Sequence, residues 1–460
     1  MVCDMVVDGA GRIDAYQFYP AIINSHARLT YTEVAAILAN TRGPEAQRRP
    51  DLVPHLLHLH EAYRALLKQR AQRGAVDFET TETQIVCDDS GRIEKIVPRV
   101  RTEAHKLIEE SMLAANVCAA EFITAGEHPS LFRVHEGPTP EKRVVLQGYL
   151  KALGLGLHLS DDPAPGEFQA IAQATQDRPD AAQIHTMLLR SMQQAIYTST
   201  NAGHFGLAYD AYTHFTSPIR RYPDLLVHRI IKSLLGGRRF HLVPNALTRT
   251  PELRRGGKVA QRPAKPLSQE MALWEAVGAH CSANERRADE ASRDVEAWLK
   301  CRYMREHLGE EFGGTVSAVT SFGLFVTLDA MYVEGLVHIT ELGGEYYRFD
   351  EARQELRGER TGIRYGVGAR VRVQVSRVDL DGRKIDFRMV REGEGERATA
   401  RGDKARTPAK AVDELERVRT ADRAAKAATR ASKGKAPAEG GARSRKPGAQ
   451  RPSPRPRTRR

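Results

Sequence analysis

Hydrophobic residues recur at the three- and four-residue spacing of amphipathic helices over most of the first 308 residues. Two early segments instead contain short apolar runs around an Asp- and Gly-containing turn, at residues 8–11 and 88–91. Thr30 and Glu33 have the spacing of a capping box and mark one helix start. The pattern predicts strand pairs at 1–20 and 78–100, and helices at 29–38, 51–70, from about 102, 141–153, 181–198, from about 217, and 268–309.

From residue 312 to 390 the hydrophobic period changes to the two-residue alternation of strands. Val371, Val373 and Val375, for example, alternate with the polar residues between them. Short strands over about 80 residues fit a five-stranded β-barrel of the OB type. This segment therefore predicts a second domain with a different architecture from the first.

The composition shifts again after residue 395, to Ala, Lys, Arg, Gly and Pro. Residues 401–460 contain 19 Lys and Arg and 6 Asp and Glu, a net charge of +13. By subtraction from the chain totals of 70 and 58, the first 400 residues carry 51 basic and 52 acidic side chains and are nearly neutral. Such a segment buries too little apolar surface to fold, which predicts a disordered basic tail. Affinity for polyanions is the favoured role of this tail, and a purely solubilising role is the alternative.

Together these patterns predict the α+β class and three parts for the 460-residue chain. We place a domain with a mixed sheet and helices at 1–308, the barrel at 309–392 and the disordered tail at 393–460. The five cysteines are scattered and contain no C-x-x-C pair, which indicates reduced thiols in a cytoplasmic protein. No apolar run reaches 18 residues, so no membrane span is expected.

The strongest candidate chemistry lies in the stretch HFTSPIRRYPDLLVHR, residues 214–229. Ser217 and Pro218 suit the N-cap and the first position of a helix, which predicts a helix start near Ser217. Helix starts favour anions, and Arg220 and Arg221 add two guanidinium groups that match phosphate oxygens. The stretch therefore predicts a phosphate clamp. The open alternative is a surface helix whose arginines pair with carboxylates.

Two other candidate sites fail on geometry. A hydrolase triad of Ser217, Asp224 and His228 needs mutual hydrogen bonds, but on one helix Ser217 and His228 would be about 16 Å apart at roughly 1.5 Å per residue. His58 and His60 point to different faces of their predicted helix, so they do not form a metal site.

Aromatic and basic residues lie together in the predicted barrel. Phe322 and Phe325 stand at a Gly-interrupted strand start, His338 lies on the next strand, and arginines are nearby. Rings that stack on bases, beside cations that hold the backbone, are typical of single-stranded nucleic-acid binding. The alternative is that one or both phenylalanines belong to the barrel core.

Several stretches together resemble one family. YPAIINSHARLTYTEVA, THFTSPIRRYPDLLVHR, ERRADEASRDVEAWL and the later SFGLFV and VEGLVHIT resemble ribonuclease R, of the ribonuclease II superfamily, over residues 1 to about 392. The resemblance implies a ribonuclease II-type catalytic domain (RNB domain) followed by an S1 RNA-binding domain. It also implies a 3′-to-5′ exoribonuclease that degrades single-stranded and structured RNA processively to 5′-mononucleotides by Mg²⁺-dependent hydrolysis, in RNA degradation and quality control.

The resemblance assigns roles to six residues of this chain. Arg220 corresponds to the family's arginine near the scissile phosphate, and Arg221 and Tyr222 support that site or the channel wall. Tyr31 and Glu110 resemble contacts to the RNA near its 3′ end that favour ribose. Phe78 resembles the aromatic residue that stacks on the terminal bases.

One departure from the family pattern concerns the metal. The family's cluster of aspartates that holds Mg²⁺, and two cold-shock domains before it, lie upstream of the first strand of this sequence. The aspartates at 88–89, at 161–162 and at 289 and 294 do not match that cluster, so no metal ligand is assigned. We expect a chain truncated before its Mg²⁺ site, with doubtful activity on its own.

A non-catalytic RNA-binding fragment, acting through the S1 domain, the channel residues and the tail, is the alternative function. The expected partners are single-stranded and structured RNA, with the ribosome or trans-translation factors as candidates for the tail. We expect a monomer.

Overall fold

The structure is a computed structural model that describes residues 1–76, 82–178, 180–242, 269–351 and 353–390. Helices and strands are both present, which confirms the α+β class. The helices are α1 (Tyr31–Ala39), α2 (Pro44–Gln47), α3 (Val53–Arg73), α4 (Glu103–Ala125), α5 (Pro140–Ala152), α6 (Pro165–Thr175), α7 (Ala181–Ser191), α8 (Tyr222–Leu235) and α9 (Gln269–Met304).

The strands fall into one group before α9 and one after it. The first group is β1 (Val2–Val7), β2 (Ile13–Tyr19), β3 (Thr83–Cys87), β4 (Ile93–Pro98), β5 (Phe132–Val134) and β6 (Ile196–Thr198). The second is β7 (Glu311–Thr320), β8 (Gly323–Leu328), β9 (Glu334–His338), β10 (Tyr347–Asp350), β11 (Glu355–Gly358), β12 (Arg364–Gly366), β13 (Arg370–Asp379) and β14 (Lys384–Met389). Phe78 and the predicted tail lie outside the described residues.

Helix α4 lies at the centre of the first part of the chain. Its first turn is closed by a capping box in which Thr102 and His105 bond each other's backbone N–H groups, and a run of small residues follows. Those small residues are fully buried and pack against β2 and α8, together with Phe18, Leu131 and Trp274. Helix α4 thus shares a core with α8, and its Asn116 accepts backbone N–H groups from Phe215 and Thr216 in the loop that leads into α8.

The strands of this first part form three antiparallel pairs, β1–β2, β3–β4 and β5–β6. Both predicted turns are confirmed: the carboxylates of Asp8 and Asp88 each accept backbone N–H groups two and four residues ahead. We predicted a mixed sheet for this part of the chain, and its described residues form these three antiparallel strand pairs. The mixed sheet of the described chain is the barrel, in which β9 and β14 run parallel.

The predicted helix start near Ser217 was wrong, because α8 begins at Tyr222. Residues 217–221 form a turn in which the Ser217 carbonyl accepts the N–H groups of Arg220 and Arg221. A helix begun at Ser217 would place Pro223 in its interior, where the ring clashes with the preceding turn. Starting at Tyr222 keeps the proline in the first turn, where a missing N–H costs nothing.

The predicted 181–198 helix also ends early, at Ser191. Residues 196–198 instead form β6, because they pair with β5 across more than sixty residues of sequence. Helix α9 lies against this strand: a Cβ at Gly278 would stand 2.6 Å from the Tyr197 carbonyl oxygen, and Ser282 Oγ accepts the Tyr197 N–H at 2.8 Å. Only glycine permits this close approach, so α9 fixes Tyr197 in place.

The second part is the predicted five-stranded barrel, closed in the order β13–β14–β9–β8–β7. Alternate residues fill its interior, including Val316, Leu324, Val337 and Phe387. A separate three-stranded sheet, β10–β11–β12, is inserted between β9 and β13.

The barrel is held against the first part from two sides. The end of α9 contacts β13 and β14, and Cys301 and Met304 of this helix belong to the barrel's core cluster. Ile96 of β4 is buried in the same cluster. Residues 1–391 accordingly form one compact unit. The domain boundaries at 308 and 392 stay predictions.

Candidate nucleic-acid interface

In the turn before α8, the adjacent residues Arg220 and Arg221 have different surroundings. Nη2 of Arg221 lies 2.7 Å from Oδ1 of Asp224, a carboxylate with no solvent exposure. The same oxygen accepts the Ser217 N–H at 2.7 Å. Arg220 is exposed and makes no side-chain ion pair within the part of the chain that the structure describes. The sequence left two alternatives, pairing with a carboxylate or binding a phosphate. Arg221 follows the first, and Arg220 is available for an external anion.

The arginines line a cavity of about 780 Å³ between the α8 turn and α9. Tyr222 stands beside them with 51% of its surface exposed. Tyr197, Arg229, Glu285 and Asp289 are among the other lining residues. A guanidinium group and a phenol ring at a cavity of this size suit a nucleotide phosphate and its base.

A wall of linked, buried or partly buried side chains lies at this cavity, and two of its members, Tyr197 and Glu285, line the cavity directly. Oε2 of Glu285 accepts from Nη1 of Arg133 at 2.6 Å, and the Arg133 guanidinium lies 4.6 Å from the centre of the Tyr197 ring. Oη of Tyr197 lies 2.8 Å from Nδ1 of His214. Burial raises the pKa of Tyr197, so its phenol stays protonated beside the imidazole. Two hydrogen bonds, Arg133 to Glu285 and Tyr197 with His214, are thus joined into one array by the cation–π contact of Arg133 with Tyr197.

Two buried histidines next to this wall are held in the neutral form. Burial, together with the charges of Arg221 and Arg133, lowers the pKa of His214 to about 2, and burial, together with the charges of His135 and Arg133, lowers that of His204 to about 3. Ring centroids of both histidines lie within 6 Å of the Tyr212 ring. Among the wall residues and these two histidines, only the arginines therefore carry a permanent positive charge.

We expect the free energy of unfolding to fall as the pH drops from 7.5 to 5.5. Below the unfolded pKa near 6.5 the unfolded chain binds protons at His204 and His214, while the folded chain does not, so stability is lost on acidification. The loss should reach about 1–3 kcal/mol between pH 6.5 and 5.5. Urea unfolding across this range measures it, and His214→Gln should flatten the profile. An unchanged free energy across the range would contradict the burial of these two groups.

The residues assigned near the RNA 3′ end lie along α4 and its neighbours. Tyr31, at the start of α1, stacks on His105 with ring centroids 3.9 Å apart. Glu110 is 4% exposed and bonds Arg70 at 2.6 Å, so it is a buried ion pair rather than an open carboxylate. The pair lies roughly 7.5 Å further along the helix from His105, at about 1.5 Å per residue. Phe78 lies outside the described residues.

Asn116, which sequence reasoning missed, ties α4 to the arginine turn. Its amide donates to Tyr212 Oη at 2.8 Å and accepts the N–H groups of Phe215 and Thr216 at 2.9 and 3.2 Å. Thr216 in turn contacts Arg221 through its hydroxyl. Glu285, Arg133 and Tyr197 were missed too. No local signal marks them, since Arg133 and Glu285 are 152 residues apart.

The aromatic residues of the barrel share one outer face. Phe325 and His338 alternate with buried residues on the paired strands β8 and β9, and both point outward. Phe322, 47% exposed, packs edge-on against Phe325 with centroids 6.2 Å apart. His338 is exposed, with Nδ1 against Thr340. Neither phenylalanine is fully buried, so the core alternative does not describe them.

The described residues do not fit a Mg²⁺ centre. No group of three or more His, Cys, Asp or Glu side chains stands close enough to share an ion within these residues. The buried carboxylates near the cavity are already paired, Asp224 with Arg221 and Glu285 with Arg133. Oδ2 of Asp224 is buried without a hydrogen-bond partner, but Mg²⁺ needs several convergent oxygens.

Comparison with known proteins gives two domain matches. The RNB domain model matches residues 1–237, and the S1 RNA binding domain model matches residues 307–389. Ribonuclease R of Escherichia coli is 45% identical over 390 residues, which is 85% of this chain and 46% of that protein. The chain spans about half the length of the curated relatives it matches. Within the described ranges, no helix combines the length and apolarity that crossing a membrane requires.

Solved structures agree with these matches. The apo form of Mycoplasma genitalium RNase R superposes with a TM-score of 0.71 at 26% identity, covering 84% of this chain and 57% of that one. The same protein in complex with ribose methylated single-stranded RNA gives a TM-score of 0.70 at the same identity and coverage.

Proposed function

We propose that this chain, which belongs to the RNB family and is related to ribonuclease R, binds RNA at the Arg220 turn. Its proposed activity is 3′-to-5′ exoribonucleolytic degradation of that RNA. The observation that carries this proposal is the division of the two arginines. Buried Asp224 neutralises Arg221 and holds the Ser217 N–H, and the turn then presents Arg220 beside the cavity with no ion pair to any described residue.

In this proposal Arg220 contacts the scissile phosphate. Its guanidinium is permanently charged, and it donates hydrogen bonds to the phosphoryl oxygens. Those oxygens gain negative charge as the phosphodiester bond is attacked, so the contact strengthens on the way to the transition state. Arg221 positions the turn through Asp224, and Tyr222 forms the adjoining wall.

We assign Tyr31, Glu110 and Phe78 to the RNA near its 3′ end. A phenol and a carboxylate each hydrogen-bond a 2′-hydroxyl, which distinguishes RNA from DNA. The ion pair with Arg70 fixes the orientation of Glu110 for such a contact. Stacking on Phe78 would be tolerant of base identity, as a general degrading enzyme requires.

The proposed hydrolysis releases 5′-mononucleotides one after another, and bound Mg²⁺ would supply the activation of water. The carboxylates that hold the ion are proposed to lie outside the described residues, because those described do not fit it. That same observation favours a second candidate, a non-catalytic RNA-binding protein built from the same site.

The S1 barrel and the basic tail are proposed as further RNA contacts. The net charge of +13 on residues 401–460 favours any polyanion, including the ribosome. We further propose that the protein acts as a monomer in the cytoplasm.

Phe322→Ala should weaken binding of single-stranded RNA by roughly 5- to 100-fold, since base stacking on an aromatic ring is worth about 1–3 kcal/mol. Fluorescence anisotropy with a labelled RNA measures the Kd. Leu308→Ala removes a similarly exposed apolar side chain next to the barrel and is the control. Equal Kd values for Phe322→Ala and the unmodified chain would remove Phe322 from the interface.

The test of the proposed function is Mg²⁺-dependent release of mononucleotides from a 5′-labelled single-stranded RNA by the purified 460-residue chain, beside a gel shift on the same RNA. Release supports the exoribonuclease. Binding without release supports the second candidate. A chain that neither binds nor cleaves this RNA contradicts both.

A further inference from the structure

Two thiols in the first part of the chain lie in contact with each other. Cys3 of β1 and Cys118 of α4 are hydrogen-bonded through their side chains. Cys118 is fully buried in the core cluster around α4, and Cys3, which is half-buried, packs against the same cluster. Both are free thiols in this structure, and the proposed function uses neither. We call these two residues the thiol pair.

The strand register and the face of α4 place the thiol pair together independently of that hydrogen bond. Cys3 stands directly opposite Phe18 of β2, so the two side chains lie on one face of the strand pair, with Cβ atoms about 5 Å apart. The Phe18 ring contacts the Phe122 ring of α4, with centroids 5.2 Å apart. Phe122 follows Cys118 by four residues and lies on the same face of the helix. The strand pair therefore packs on α4 with Cys3 next to Cys118.

The two sulfurs differ in reactivity and in access. The S–H of Cys118 donates to the Cys3 sulfur, and this hydrogen bond lowers the pKa of Cys3, although burial opposes the shift. The same hydrogen bond, together with burial, raises the pKa of Cys118. Because the thiolate is the nucleophile in disulfide exchange, the more exposed Cys3 is the sulfur that attacks first.

The other three cysteines provide a comparison within the same chain. Cys87 is exposed on β3, whereas Cys281 and Cys301 are buried on α9. Burial raises the pKa of both α9 thiols, which keeps them protonated. Buried, protonated thiols react slowly with disulfides, so the α9 thiols should stay reduced under conditions that oxidise the thiol pair.

We propose that Cys3 and Cys118 form a reversible intramolecular disulfide by exchange with a low-molecular-weight disulfide. The Cys3 thiolate first attacks one sulfur of the small disulfide, whose S–S bond breaks, and one small thiolate leaves and takes up a proton. Cys118 then loses its proton and attacks the Cys3 sulfur, which displaces the second small thiolate. Both cysteine sulfurs are oxidised, and the small disulfide is reduced to two thiols.

Contact between the two sulfurs makes the second step favourable although Cys118 is buried. Once Cys3 is in the mixed disulfide, it no longer provides the hydrogen bond that raises the pKa of Cys118. The attack is also intramolecular, so the reacting sulfurs are already together and no second molecule has to enter the core.

The disulfide connects the first strand to α4 and closes a loop of roughly 115 residues. Such a cross-link restricts the unfolded chain, so the oxidised protein should unfold at a temperature about 5–10 °C higher than the reduced protein. Thiols of cytoplasmic proteins are normally kept reduced, and transient disulfides there are mostly redox-sensing. The thiol pair therefore stabilises the strand–helix contact under disulfide stress and releases it when reductant returns.

The test incubates the reduced 460-residue chain, carrying Cys87→Ser to remove the exposed thiol, with mixtures of oxidised and reduced glutathione under native conditions. N-ethylmaleimide blocks the remaining thiols, and mass spectrometry of the intact chain and its peptides identifies the products. We expect loss of two hydrogens and one link, between the peptides that contain Cys3 and Cys118. Cys118→Ser should stop at one glutathione on Cys3. Cys281→Ser removes another buried thiol of the same core cluster and should form the link like its parent chain.

Glutathione that stays on Cys3 while Cys118 remains a free thiol would overturn the inference, because the two sulfurs could then not reach each other. A link from either residue to Cys281 or Cys301, or no reaction at Cys3, would overturn it too. An unfolding temperature that is equal in the linked and the dithiothreitol-reduced chain would contradict the predicted constraint. None of these measurements contains RNA, so this inference and the proposed function stand or fall separately.

Discussion

Under conditions where the protein hydrolyses RNA, Arg220→Ala should lower the rate of mononucleotide release by about 10²–10³-fold, the cost of removing one donor from a developing oxyanion. The Kd for the same RNA should rise less than about fivefold, because many other contacts hold the strand. Arg220 is the exposed, unpaired member of the arginine pair, so its loss leaves the turn itself intact. Single-turnover kinetics beside anisotropy titration separates the two quantities.

Arg229→Ala is the matched control, because Arg229 is exposed, lines the same cavity and carries the same charge. Its release rate should stay within about threefold of the unmodified protein if position rather than charge decides. Arg220→Lys should restore only part of the rate, since an ammonium group lacks the planar fork. Equal losses of rate and affinity in Arg220→Ala would make Arg220 a binding residue only.

Asp224→Ala should lower the free energy of unfolding by about 3–5 kcal/mol, the cost of breaking a buried ion pair by removing one partner. The substitution leaves the largely buried Arg221 guanidinium without its carboxylate and the Ser217 N–H without its acceptor. Urea denaturation at pH 7 measures the change. Because the same carboxylate shapes the turn, RNA hydrolysis should also fall in the fraction that remains folded.

Asp329→Ala is the comparison for that measurement. Asp329 pairs with Arg370 at the same 2.7 Å distance, but both side chains are largely exposed. Exposed pairs contribute roughly 0–1 kcal/mol, so its loss should be small. Losses of similar size in the two variants would show that burial of Asp224 adds nothing to the stability of the turn.

Local sequence patterns predicted those elements that are determined by residues close together in the chain. Thr30 and Glu33 form the expected capping box, and the alternating valines of β13 lie in the barrel as expected. The start of α8 was misplaced because Ser217 and Pro218 resemble a helix start, while Pro223 decides where the helix begins. The end of α7 was misplaced because β6 is made by pairing with a distant strand.

The candidate site was only partly predictable for the same reason. Arg220 and Arg221 stood out from their neighbours in sequence, but which of them is paired depends on the burial of Asp224 one turn later. The wall of Arg133, Tyr197 and Glu285 brings together two strands and the long α9 helix. Contacts over such distances leave no mark in the local pattern, and α9 showed only a charged, helical one.

In the proposed function, the 3′ end of the RNA lies at the Arg220 turn, because Arg220 contacts the scissile phosphate. The most direct test is photo-crosslinking of the 460-residue chain to a single-stranded RNA with 4-thiouridine at its 3′ terminus, followed by mass spectrometry of the linked peptides. We expect crosslinks within residues 197–222, where Tyr197 and Tyr222 line the cavity, or at Tyr31, Phe78 or Glu110, which the proposed function places near the 3′ end. Crosslinks confined to residues 391–460 would contradict it, because the RNA would then be held by the charge of the tail alone.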